Sequence, residues 1–70
     1  MALEVKIHTE YITLGQLLKL TRIISTGGEE KAFVLSHDIT VNGVKENRRG
    51  RKLRAGDKLV IDGKEIEVCA

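Results

Sequence analysis

Ile39-Thr40-Val41-Asn42-Gly43-Val44-Lys45 is the stretch that decides the fold. Two short β-branched runs flank Asn-Gly, the dipeptide that most readily supplies the two positive φ angles of a type I′ turn, so the segment reads as a tight hairpin. Downstream, Gly56-Asp57 leads into Leu59-Val60-Ile61, and Asp62-Gly63 makes a second such turn. Beyond it Ile66 and Val68 alternate with Glu65 and Glu67, the period-2 pattern of a strand with one buried face. Upstream, Thr26 followed three residues later by Glu29 forms a capping box that opens a helix through about His37. Ser25-Thr26-Gly27-Gly28 separates it from an earlier helix, predicted over about residues 14–24 and opened by a second capping box, Thr13 with Gln16. Leu3, Val5 and Ile7 alternate with Glu4, Lys6 and His8, which predicts a first strand over residues 3–8.

The expected order is therefore β-α-α-β-β-β: an α+β chain in which a helix hairpin packs on a small, mainly antiparallel sheet. With no linker, repeat or low-complexity tract, residues 1–70 are expected to form one domain. At 100° per residue, Leu14, Leu17, Leu18 and Ile24 share one side of the first helix, and Gly15, Lys19 and Arg22 share the other, open side. Ala32, Phe33, Val34 and Leu35 spread almost around the second helix, so that helix is expected to be the more enclosed, wedged between the first helix and the sheet.

Charge is distributed unevenly. From Asn42 to Lys58 the chain carries Lys45, Arg48, Arg49, Arg51, Lys52, Arg54 and Lys58 against Glu46 and Asp57, a net +5 that leaves the other residues at −3. A dense cationic strip on an otherwise acidic molecule orients one face toward a polyanion, and its cations are expected to be nearly unpaired by acids. Gly50, inside the strip, is expected to let the backbone curve and approach a partner closely.

Composition narrows the function. Seventy residues with 3% aromatic content make a thin core with no room for a deep substrate pocket, and they lack the row of aromatics on which single-stranded binders stack bases. The start Met1-Ala2-Leu3-Glu4-Val5 lacks the features of a signal peptide and no long apolar run exists, so a membrane partner is not expected and a cytoplasmic location is. The one cysteine, Cys69, supports neither an internal disulfide nor a cysteine-based zinc site.

The capped leucine-rich helix, the Gly break, the second helix, then Ile39-Thr40-Val41-Asn42-Gly43 and Gly56-Asp57 resemble the S4 RNA-binding domain, with its αL motif. The Val-Asn-Gly turn is the most specific of these features. The length and the stretch Arg48-Arg49-Gly50-Arg51-Lys52-Leu53 resemble small bacterial S4-like proteins of the YaaA and YbcJ type. The resemblance implies a non-catalytic module whose helix hairpin and following loop face structured RNA, often ribosomal RNA. Where S4 domains place a serine and a basic residue near the start of the second helix, this chain has Gly27-Gly28-Glu29-Glu30. Those carboxylates suit the positive end of a helix dipole, and the main grip is expected to lie in the arginine strip.

The residues expected to contact RNA are Lys19 and Arg22 from the first helix, Lys31 from the second, and Lys45, Arg48, Arg49, Arg51, Lys52 and Arg54. They would hold the phosphate backbone of a folded RNA, ribosomal or transfer, through shape more than sequence. Phosphate neutralisation does not separate RNA from DNA, so a DNA-associated protein is the nearer alternative and a protein adaptor the farther one. The ending Val68-Cys69-Ala70 lacks the Gly-Gly of ubiquitin-like carriers. The protein is expected to be a monomer. No enzyme is expected: His8, His37 and Cys69 have no spacing that suggests a nucleophile with its base, and no phosphate loop or dinucleotide fingerprint occurs, so no cofactor is implied. His37 is expected to cap carbonyls at the end of the second helix or to favour the negative end of its dipole, and without a paired His or CxxC no metal site is expected.

Overall fold

The structure is a computed structural model that describes residues 3–25 and 27–70. Among the described residues, seven strands and two helices follow in the order β1 (Leu3–Lys6), β2 (Ile12–Thr13), α1 (Leu14–Leu20), α2 (Glu30–Ser36), β3 (Ile39–Val41), β4 (Val44–Lys45), β5 (Lys52–Leu53), β6 (Lys58–Ile61) and β7 (Lys64–Cys69). A short 3₁₀ turn, Gly27–Glu29, leads into α2. Five strands form a sheet in the order β1-β7-β6-β3-β4, in which only β1 and β7 run parallel. Two helices on a mostly antiparallel sheet agree with the α+β expectation. The remaining strands, β2 and β5, pair antiparallel as Ile12 with Leu53 and Thr13 with Lys52. That pairing was not expected, because two-residue strands carry no periodicity to read.

Both glycine turns form as expected. Asn42 and Gly43 take φ 52° and 84°, and Asp62 and Gly63 take 49° and 84°. Asn42 is also bolted to the start of β6: its side-chain oxygen accepts from the Lys58 N–H at 3.0 Å and its amide donates to Asp57 at 3.1 Å.

The core unites the inward faces of the sheet, Val5, Ile39, Val41, Leu59, Ile61, Ile66 and Val68, with Leu14, Leu17, Leu18, Ile24 and Val34 from the helical side. Leu53, from the small β2–β5 pair, is completely buried among them. Along β6, and along β7 from Ile66 on, every second residue turns inward to this one buried face.

Three expectations about the helices need correction. First, α1 stops at Leu20, because Arg22 adopts φ 60° and closes the helix with a Schellman pair: the Ile23 N–H donates to the Leu18 carbonyl and the Arg22 N–H to the Lys19 carbonyl. Glycine usually fills that left-handed position, so its occupation by arginine gives no stop signal in the sequence. Lys19 and Arg22 therefore do not share a helix face. Second, Gly15 is buried, not open, with the Glu30 carboxylate of α2 lying directly over it. Third, α1 is the enclosed helix. It buries Leu14, Gly15, Leu17 and Leu18, whereas α2 buries Val34 alone and leaves Leu35 62% exposed.

The Thr13 capping box is present with both reciprocal bonds. Its counterpart at Thr26 lies outside the described residues; Glu29, the other half of that pair, accepts from the Ser25 N–H and hydroxyl. His37 does not cap carbonyls with its ring. It stacks on Phe33, with centroids 3.9 Å apart, and its Nδ1 pairs with the Asp62 carboxylate, clasping the end of α2 to the β6–β7 turn. That bond and the Asp38 N–H hold the Asp62 carboxyl below the usual carboxylate range.

Candidate nucleic-acid interface

The basic strip between β4 and β6 has little regular structure, yet its backbone is tied down at three places. The Glu46 N–H donates to the Ile39 carbonyl at 2.9 Å, fixing the strip where it leaves the sheet. The carbonyls of Arg49 and Arg51 accept from the N–H groups of Gly15 and Leu14, at 2.9 and 2.8 Å. These two amides belong to the first turn of α1, whose donors have no partner within the helix, so the strip satisfies them. Pairing of β5 with β2 then fastens its far side. The strip and the start of α1 are one unit, which carries the arginine side chains, exposed at Arg48, Arg49 and Arg54 and half-buried at Arg51.

Glu46 is the residue that sequence reading passed over. It is only 7% exposed and receives a ring of donors: the N–H groups of Asn47 and Arg48, both at 3.1 Å, Arg48 Nε at 3.0 Å and Nη2 at 3.3 Å, and Arg51 Nη1 at 3.4 Å. The Arg48 side-chain bonds, reinforced by the backbone donors, outweigh burial and hold the Glu46 carboxyl below its ordinary value. The same pair raises the Arg48 guanidinium, which is 71% exposed and keeps an open face toward solvent. The expectation of nearly unpaired cations therefore fails at two of the seven, Arg48 and Arg51, which share a buried anion. A lone acid two residues before an arginine looks like surface charge balance, and only the tertiary fold buries it.

A second carboxylate organises the other side of the strip. Asp57 accepts from the Arg54 N–H at 2.8 Å and from the Asn42 amide. Burial alone would raise its carboxyl, but these bonds and the charges of Arg51 and Arg54 together hold it low.

Arg48, Arg51, Lys52 and Arg54 line one concave surface with Gly50 and Asp57. Arg49 is exposed beside it in sequence, and its side chain pairs with no carboxylate among the described residues. At Gly50 a Cβ would meet nothing of the protein within 4 Å and φ is not in the left-handed region, so the fold itself does not require glycine there. The other expected residues are dispersed. Lys45 lies on edge strand β4 and lines a separate depression with the end of α2. Lys19 lines a groove with Tyr11, Gln16 and Leu20. Arg22 is at the opposite end of α1 from the strip, and Lys31 is exposed in the first turn of α2. No group of three or more His, Cys, Asp or Glu residues is arranged to hold a metal ion among the described residues, and no described helix is long and apolar enough to cross a membrane.

The model of the S4 domain family matches residues 5–69. A relative from Bacillus subtilis (strain 168), named as a probable ribosome maturation protein RlbA, is 51% identical over 63 residues, which cover 90% of this chain and 89% of the relative.

Proposed function

Because this chain belongs to the S4 domain family, we propose that it is a non-catalytic RNA-binding protein that acts in ribosome maturation by gripping the phosphate backbone of structured ribosomal RNA. The ribosomal part of this reading is supported by the similarity to the B. subtilis protein and its name. The observation that carries the mode of binding is the anchored strip: Arg48, Arg51, Lys52 and Arg54 line one concavity whose backbone is bonded to α1 and folded around Glu46. Holding cations in place before the partner arrives spares part of the ordering cost of binding. Arginine presents a planar fork of donors to phosphate, so several of them on one concave surface suit a backbone more than a base edge. Arg49 adjoins this surface in sequence, whereas Lys19, Arg22, Lys31 and Lys45 lie away from it and would each add at most one separate phosphate contact.

Counterion release provides the test. Replacing Arg48, Arg49 and Arg51 with alanine should weaken binding to all structured RNAs alike and flatten the plot of log affinity against log salt by about 2 units, at about 0.7 to 0.9 per phosphate released. Arg49→Ala alone leaves the Glu46 pairs intact and should remove about one such increment. Filter binding across a salt series, with circular dichroism to confirm folding, measures both. An unchanged slope in the triple variant would mean the strip faces solvent or a protein, and the adaptor reading would take its place.

A further inference from the structure

Tyr11 is the chain's one tyrosine, 38% exposed on the segment that precedes β2. Two cations lie over its ring, Lys52 Nζ at 4.9 Å from the centroid and Arg54 Cζ at 6.0 Å. Both also line the basic concavity, so the ring stands at the border between that surface and the groove formed with Gln16, Lys19 and the exposed Leu20. An aromatic face with an apolar floor, rimmed by cations on the side where the phosphate track arrives, combines the two features by which proteins hold a single nucleotide: stacking for the base and charge for its backbone.

We propose that this groove is a pocket for one unpaired nucleobase of the bound RNA, stacked on Tyr11 with its flanking phosphates on Lys52, Arg54 and Lys19; the inference rests on the RNA-binding reading above. In the free protein the ring attracts the cations themselves, a contact that phosphate oxygens exchange for ion pairs when RNA binds. Glu10, at the rim of the groove, would repel a phosphate but accepts from a base edge that carries N–H donors. One stacking position would let the protein prefer RNA with an unpaired loop or bulge over a continuous duplex, a preference that a purely cationic surface lacks.

The experiment compares a ribosomal RNA hairpin that carries an unpaired loop with a fully paired duplex of equal length, against wild type, Tyr11→Phe, Tyr11→Leu and Tyr11→Ala. Stacking predicts that the Leu and Ala variants lose about 5- to 100-fold in hairpin affinity while Phe stays within about twofold, with duplex affinity unchanged for all. Because the chain has one tyrosine, its ring-proton resonances are unambiguous, and they should move upfield when the hairpin binds. If the hairpin binds with those resonances unmoved, or Tyr11→Leu binds it like wild type, there is no base pocket, while the phosphate reading stands. Equal losses for hairpin and duplex would show that Tyr11 only positions Lys52 and Arg54, which also overturns the proposal. Failure of the wild-type protein to bind either RNA would overturn both readings.

Discussion

Residues 46–54 and helix α2 invert the usual relation between regular structure and order. The helix has its own backbone bonds, yet it buries only Val34 and is held at its end by an exposed His37–Asp62 pair. The strip has only the two-residue β5, yet its carbonyls close the first turn of α1, its side chains converge on a buried carboxylate, and Leu53 is completely buried. What fixes a segment is the number of its polar groups that find partners elsewhere in the fold, together with the apolar surface it buries. In this protein that favours the segment that carries the cations, and leaves α2 as the part that opens at the lower cost.

The largest effect should come from removing the centre of the strip. Glu46→Ala leaves two backbone N–H groups and two arginines without their shared acceptor, and should cost about 2 kcal/mol in chemical denaturation. The sign of the pH dependence follows from the depressed carboxyls of Glu46 and Asp57. Their stabilisation is fully present above the unfolded carboxylate pKa and is lost as pH falls through the lower folded values. Melting temperature should therefore decline on acidification through and below the ordinary carboxylate range, less steeply in Glu46→Gln than in wild type.

A smaller effect of opposite sign is expected on the helical side. Arg22→Gly relieves a left-handed arginine at the end of α1 and should stabilise the protein by about 1 kcal/mol. Because Arg22 is remote from the strip, the same variant should lose at most one phosphate contact in RNA titrations. Smallest of all, Gly50→Ala should stay within about 0.5 kcal/mol of wild type and bind RNA normally, since its Cβ enters open space. A strong defect there would mean that the strip's backbone must approach its partner more closely than its folded shape implies.

What was legible in the sequence was local chemistry. Asn42-Gly43 and Asp62-Gly63 carry their φ angles in their residue types, and Thr13 with Gln16 names its own hydrogen bonds. The end of α1 was hidden because arginine occupies a position where glycine is expected. The exposure of α2 was hidden because Phe33, Val34 and Leu35 are all apolar, and only the packed molecule shows that Val34 is buried, Phe33 partly so and Leu35 exposed. In the candidate site the cations stood out by composition, but their organisation did not. Glu46 acquires its meaning from burial, Tyr11 from Lys52 and Arg54, and the anchoring of Arg49 and Arg51 from carbonyls that every residue possesses.

Whether Glu46 holds the strip in its binding shape is read from the affinity of Glu46→Gln for structured RNA. This substitution adds one unit of positive charge to the protein while removing the anion that positions Arg48 and Arg51. If preorganisation governs binding, affinity should fall by about 3- to 10-fold despite the added charge, because the arginines must then be ordered by the RNA itself. Tighter binding with a steeper salt slope would show instead that Glu46 only withholds two cations from the phosphates.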